Sequence, residues 1–262
     1  MKKIYSLLYS YADWNKIARH NPTLEIIKDD QIFYYFGANH SRDPQDEQYP
    51  RLRKYWEDFL QKTKSNKRVF LVEGGVRAVR ANEEEAIRKG SEGDLVTLWA
   101  SKLETPIFCP EPKRSEEYAE LLKEYSKEEI AYYFFARVIN QWHRHLKDIP
   151  DFEEYMNSYL KADQKASGWE EFYFSIISLK EIHKKIFNTD FNKDDKEFFA
   201  TIINPTKDYS VINKIPRALS TFRDATIVSG ILKFWQEGQS IFAVFGGGHV
   251  IVEDRALKEL LV

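Results

Sequence analysis

The sequence predicts an α/β protein: a mixed, largely parallel central sheet flanked by helices, with a helical insertion in the middle of the chain. Three observations predict it. Short apolar runs rich in β-formers alternate with helically periodic segments near both ends. Four of those runs stop at glycine or proline beside a polar residue. Between them, from about Ser115 to Asn213, the chain is charged, aromatic and helical in pattern. The 262 residues therefore read as a single domain. Its core is expected over about 24–112 and 216–262, and its helical insertion or lid over about 113–215.

Each element has its own local signal. Residues 24–36 (LEIIKDDQIFYYF) set two β-rich runs around a KDDQ turn, which predicts a hairpin. Leu52, Trp56, Phe59 and Leu60 give residues 49–64 helical spacing. RVFLVEGG at 68–75 is a strand ending in Glu-Gly-Gly. Residues 82–89 read as a helix stopped by Gly90. Ser91, with Asp94 three residues on, caps a second helix through Trp99 to Leu103. TPIFCPEP at 105–112 is an apolar strand ended by prolines. Ser126 and Glu129 form a capping box for a helix running through Trp142, and 170–187 is a further amphipathic helix. Residues 216–237 form a helix with Pro216 near its first turn. SIFAVF at 240–245 is a buried strand running into Gly-Gly-Gly-His. Asp254 caps a short closing helix.

Composition narrows the function classes. Lys and Arg total 39 against 41 Asp and Glu, a net charge of −2, which argues against a nucleic-acid or membrane-surface protein. One cysteine, Cys109, excludes an intrachain disulfide framework and a cysteine-rich zinc site. No run reaches the roughly 18 apolar residues of a membrane span. In the opening MKKIYSLLYSYADW, Ser and Tyr break the apolar stretch too early for a leader peptide. The expectation is a cytoplasmic protein acting on a small-molecule or peptide substrate.

The four strand endings carry the chemistry. They put His40, Glu73, Glu111 and His249 just past the carboxyl ends of strands, where sites form in parallel sheets. His40 and His249 are expected to converge although 209 positions separate them. Singly, each has an ordinary reading: a satisfied histidine, a Glu-Gly-Gly turn, an acid pointing into water. Arg223 lies one turn from Leu219 and Ile227 on the apolar face of its helix, so it needs an anion. A partner near Glu73, an anionic substrate and a plain Arg–carboxylate strut all fit. Asp224 is a candidate to orient a histidine. Glu92, in the first turn after Ser91, also suits the helix dipole.

Other signals carry little. His143 and His145 sit at i and i+2 and cannot share an ion on one helix face. The loop from Asp190 lacks the glycine and final glutamate of a calcium loop. Gly246–Gly248 lack the lysine and spacing of phosphate-binding loops, and Ser91 misses the Gly-x-Ser-x-Gly elbow.

The chain resembles the TraB/PrgY–Tiki and erythromycin esterase/ChaN-like superfamily at GANH (37–40), VFLVEGG (69–75), SEGDLVTLWASKLETPIFCPEP (91–112), FRD (222–224) and VFGGGHV (244–250). The resemblance spans about 25–112 and 216–262. It implies that Gly37–His40 and Gly246–His249 are paired Gly-x-x-His motifs, that Glu73 is the glutamate after the second strand, that Glu92 and Glu111 look like the later acids, and that Arg223 looks like the arginine before the last strand. It further implies a hydrolytic site. Tiki-like members are similar to metal-dependent peptidases using two histidines and a glutamate. Erythromycin-esterase-like members activate water with histidine and glutamate, and ChaN-like members bind haem.

The expected activity is hydrolysis of a peptide or ester bond. His40, Glu73 and His249 would hold a divalent metal (Zn, Mn or Co) or activate water directly. Arg223 would stabilise developing charge or orient Glu73. The alternatives are a non-catalytic pocket for haem or another small molecule, and an interaction module built on the long charged helices.

Overall fold

The computed structural model describes residues 1–10, 22–64, 67–145 and 150–262. Residues 11–14 of the opening stretch weighed as a leader lie outside the described residues. No described helix is long and apolar enough to cross a membrane. The chain divides into two compact units, one of Met1–Glu111 with Arg223–Val262, the other of Pro112–Phe222.

The first unit holds the sheet. Its strands are β1 (Thr23–Lys28), β2 (Gln31–Ala38), β3 (Arg68–Val72), β4 (Ile107–Phe108) and β5 (Ser240–Gly246), in spatial order β1-β2-β5-β3-β4. β1 pairs antiparallel with β2 through the expected hairpin, while β2, β5, β3 and β4 run parallel. This is the mixed, largely parallel sheet that the sequence predicts. The last strand enters between β2 and β3, so residues from both ends of the chain finish on one edge.

Side chains alternate across the strands, and the two faces collect different sequences. Phe33, Tyr35, Val69, Leu71, Ile241, Ala243 and Phe245 pack on one face with Ala225, Ile227, Val228 and Ile231. Those four come from α9 (Lys214–Gln236), and α10 (Gly247–Leu261) packs on the same face through Val250 and Leu257, joined by Ile4 of α1 (Lys2–Leu7). Tyr34, Phe36, Phe70, Val72, Phe242 and Val244 pack on the other, against α2 (Gln48–Lys62) and α3 (Glu83–Lys102). Trp56 of α2 stands edge-on to Phe242, with ring centres 5.1 Å apart. Covered on both faces, these strands read as unbroken apolar runs.

Four details of these elements differ from the sequence reading. β4 is only two residues long, because prolines 106 and 110 withhold ladder donors on either side. α3 is two helical stretches, together Glu83–Lys102, joined across a kink at Ser91, φ 53°, so the expected break after Gly90 is present and only its cap differs. There the Ser91 hydroxyl donates to the Gly90 carbonyl instead of capping, and Asp94 turns to Arg77 and Arg80. α10 starts at Gly247, directly after β5, so Asp254 lies inside the helix and pairs with Lys258.

The fourth difference lies in the second unit, which is helical: α4 (Arg114–Leu121), α5 (Lys127–Trp142), α6 (Phe152–Ser167), α7 (Ile176–Phe187) and α8 (Lys196–Ile202). Ser126 and Glu129 make the expected capping box at the start of α5. The helix expected over 170–187 begins only at Ile176. Gly168 ends α6 in the left-handed conformation, and Gln164 then binds both the Trp169 carbonyl and the Phe174 amide. Those bonds stack Trp169 on Phe174, and Ser175 caps α7. The hydrophobic core of this unit includes Tyr118, Phe134, Phe135 and Leu179.

Candidate active site

Every sequence-predicted site residue except Gly37 has its functional group at the carboxyl edge of the parallel strands. Glu73 leaves the end of β3, and its carboxylate stands between the two histidines. His40 Nε2 lies 3.4 Å from one of its oxygens and His249 Nε2 3.5 Å from the other. The first oxygen also accepts the Gly246 amide at 2.6 Å. Behind each ring is a second acid. Glu92 lies 2.5 Å from His40 Nδ1, and Asp224 lies 2.5 Å from His249 Nδ1. Carboxylates placed behind an imidazole in this way fix its tautomer and its aim.

The backbone is shaped around these rings. His40 has φ 54°, a conformation side chains rarely adopt. It is held there from both sides: Gln48 accepts the Asn39 amide at 3.0 Å, and the Tyr49 hydroxyl donates to the Ser41 carbonyl. Strain maintained by surrounding bonds is typical of functional positions. Gly246 is required by close approach. A Cβ there would sit 2.7 Å from His40 Nε2 and 3.3 Å from Glu73. Gly37 lies behind the site, its amide donating to the Pro22 carbonyl at 2.8 Å.

Arg223 and Glu111 form the third side. The Arg223 guanidinium donates to Glu111 and stands 3.7 Å from Glu73. The other Glu111 oxygen accepts the Gly74 amide at 2.6 Å. Arg223 therefore has the strut and the approach to Glu73 together: Glu111 anchors it and Glu73 receives its field.

Burial and charge compete at each of these groups. Burial pushes Glu73 upward, but the His249 hydrogen bond and charge, the Gly246 amide and His40 together lower it to about 2. The Glu92 hydrogen bond raises His40 against partial burial. Burial lowers His249, yet bonds to Asp224, Glu253 and Glu73 outweigh it and raise it well above the ordinary histidine value. The rings also differ in access: the His40 side chain is 50% exposed and that of His249 15%.

Glu253 was not among the residues the sequence marks. It is fully buried, accepts the Tyr35 hydroxyl at 3.0 Å, and lies 3.7 Å from His249 Nδ1. The missing signal was the helix start. With α10 beginning at Gly247, His249 and Glu253 are an i,i+4 pair on one face. Burial and the Asp224 charge raise Glu253 to about 8, against the opposing pull of His249. Asp224, His249 and Glu253 place ligand atoms within 4.8 Å of one another and could hold a metal ion.

No protein-family model matches the chain, and neither does any curated protein or solved structure.

Proposed function

We propose that the protein is a hydrolase in which His40, Glu73 and His249 activate water, with or without a divalent metal, to cleave a peptide or ester bond. One observation carries this reading. Two imidazoles aim their Nε2 atoms at one carboxylate, and each is locked from behind by its own acid.

The donor set suits a divalent cation. Glu73, Glu92, Glu111 and Asp224 bring more negative charge to this edge than Arg223 and the two histidines offset. Borderline ions such as Zn²⁺, Mn²⁺ or Co²⁺ take this mixture of nitrogen and oxygen ligands. His40 Nε2, Glu73 and His249 Nε2 would hold the ion. The buried Asp224–His249–Glu253 group is the other candidate, but there His249 Nδ1 is already engaged by Asp224 at 2.5 Å. A bound ion would acidify water and polarise the scissile carbonyl.

The chain's own residues do the rest. Glu73, held low, is a weak base and suits the roles of ligand and electrostatic anchor. Where no metal is held, proton transfer falls to the imidazoles, His40 being the one open to solvent. Arg223, pinned by Glu111, faces the charge that develops beside Glu73. A haem-binding reading has less support, because both Nε2 atoms are turned onto Glu73 and not outward.

The test is metal analysis of protein purified without chelator, with hydrolysis of peptide and ester panels, for the wild type, His40→Ala and His249→Ala. Loss of metal or of turnover in both variants is expected. Wild-type metal content and activity in both would end the proposal.

A further inference from the structure

The segment after Glu73 carries a second charged group that the hydrolytic reading leaves unused. Asp94 is fully buried, and two arginines reach it from the loop between β3 and α3. Arg77 Nη1 donates to Asp94 at 3.2 Å and to the Gly90 carbonyl at 2.7 Å. Arg80 Nε donates to the other Asp94 oxygen at 2.6 Å. Room has been made for the group: a Cβ on Gly90 would fall 2.0 Å from the Asp94 carboxyl carbon, so no other residue fits there.

The count of charges and donors sets this apart from a simple strut. One carboxylate neutralises one guanidinium, and here it meets two. Glu85, which also feels Arg80, is paired with Lys89 at 3.2 Å. Among the described residues, Arg77 donates through Nη1 and Arg80 through Nε alone. Arg77 Nη2 and both terminal nitrogens of Arg80 have no hydrogen-bond partner among the described residues, and both side chains stay about one-third exposed, at 35% and 30%. Asp94 thus pre-orients two planar forks, which lowers the entropy cost of binding an anion between them.

The group flanks the proposed centre. Arg77 Nη2 lies 2.7 Å from where a Cβ of Gly74 would stand, and Gly74 directly follows Glu73. Its guanidinium also lies against Gly93, and Gly90 and Gly93 bracket Glu92, the residue that holds His40.

From this geometry we infer that Arg77 and Arg80 form an oxyanion-binding site that receives a phosphate or carboxylate group of the substrate. The site itself needs only these residues; its role in choosing a substrate rests on the hydrolytic reading. Hydrolysis would then act on an anionic substrate, with the reacting bond toward Glu73 and the anionic group toward the loop.

The experiment follows the side-chain Nε–Hε signals of Arg77 and Arg80 by NMR in the full-length chain, with metal removed, during titration with inorganic phosphate and, separately, acetate. Saturable shifts of both signals at millimolar concentration are expected. A response to phosphate alone assigns a phosphorylated substrate, and a response to acetate assigns a carboxylate. Arg77→Gln/Arg80→Gln should weaken phosphate binding on the order of tenfold or more, while His40→Ala should leave it unchanged. If neither anion moves the wild-type signals, or the double variant binds phosphate as well as wild type, the inference fails. The wild-type titration decides the matter even if the double variant does not fold. Metal content is read separately, so the hydrolytic proposal stands or falls on its own test.

Discussion

Gly246→Ala tests whether His40 and Glu73 work as one unit. The backbone tolerates the change, since Gly246 has φ −54° and ψ 141°, open to any residue. The cost is steric and falls on the site. The new methyl would begin 2.7 Å from His40 Nε2, whereas carbon contacts settle near 3.5 Å, so the ring must retreat by about 0.8 Å. Glu73 is less able to move, because the Gly246 amide holds it at 2.6 Å. His40 can move, being half exposed, but only by stretching its 2.5 Å bond to Glu92. The overpacking should cost no more than about 1–2 kcal/mol of stability, near the low end for a tight site. Misplacing one ligand by nearly an ångström should cost on the order of 10²-fold in function. Zinc affinity by chelator competition reads the site, and urea unfolding in a chelator reads the fold. The His40 pKa, followed by NMR, should fall as the Glu92 bond stretches. Wild-type zinc affinity together with an unchanged His40 titration would refute the reasoning. Gly37→Ala is the contrast: its methyl would meet the Pro22 carbonyl at 2.8 Å and the Gly247 Cα at 2.9 Å, so stability should fall, by about 1–3 kcal/mol.

Three further outcomes are expected. Asp224→Asn should lower the His249 pKa and weaken metal binding by about 10–100-fold with the fold retained, as judged by NMR titration and metal competition. Glu253 keeps its proton to about pH 8, whereas an unfolded glutamate ionises near about 4.3, so wild-type stability should decline as pH rises across that window. Glu253→Gln should remove that decline, and urea unfolding on either side of the window would show wild type and variant diverging only on the alkaline side; parallel curves would count against it. In the helical unit, burial lowers His183 despite the pull of Asp190, so the unfolded chain takes the proton first and stability should drop as pH falls below about 6.5. Tyr132→Phe leaves His183 Nδ1 without its 2.6 Å partner and should cost about 1–3 kcal/mol, read by tryptophan fluorescence during unfolding.

Much of this was legible because strands and their endings are local features. The apolar runs named β2, β3 and β5, the hairpin turn and the glycines at the ends of β2 and β5 are all written within a few residues. The parallel-sheet rule then places His40, Glu73 and His249 on one edge. Where reading failed, a distant group had outbid a local one. Asp94 looked like part of a cap until the arginines at 77 and 80 claimed it. Glu92 suits the helix dipole and is a candidate site acid from the sequence, but nothing local says that it stands buried behind the ring of His40, 52 positions earlier.

Sequence alone therefore determined the class of fold, the kinds of side chain at the strand ends and the edge they occupy, since these arise from periodicity and backbone preference. Only the tertiary structure decided which acid stands behind which ring, that Arg223 is anchored by Glu111, and that Glu253 lies beneath His249. Pairings of that kind depend on distances of a few ångströms between segments far apart in the chain, and no local propensity encodes them.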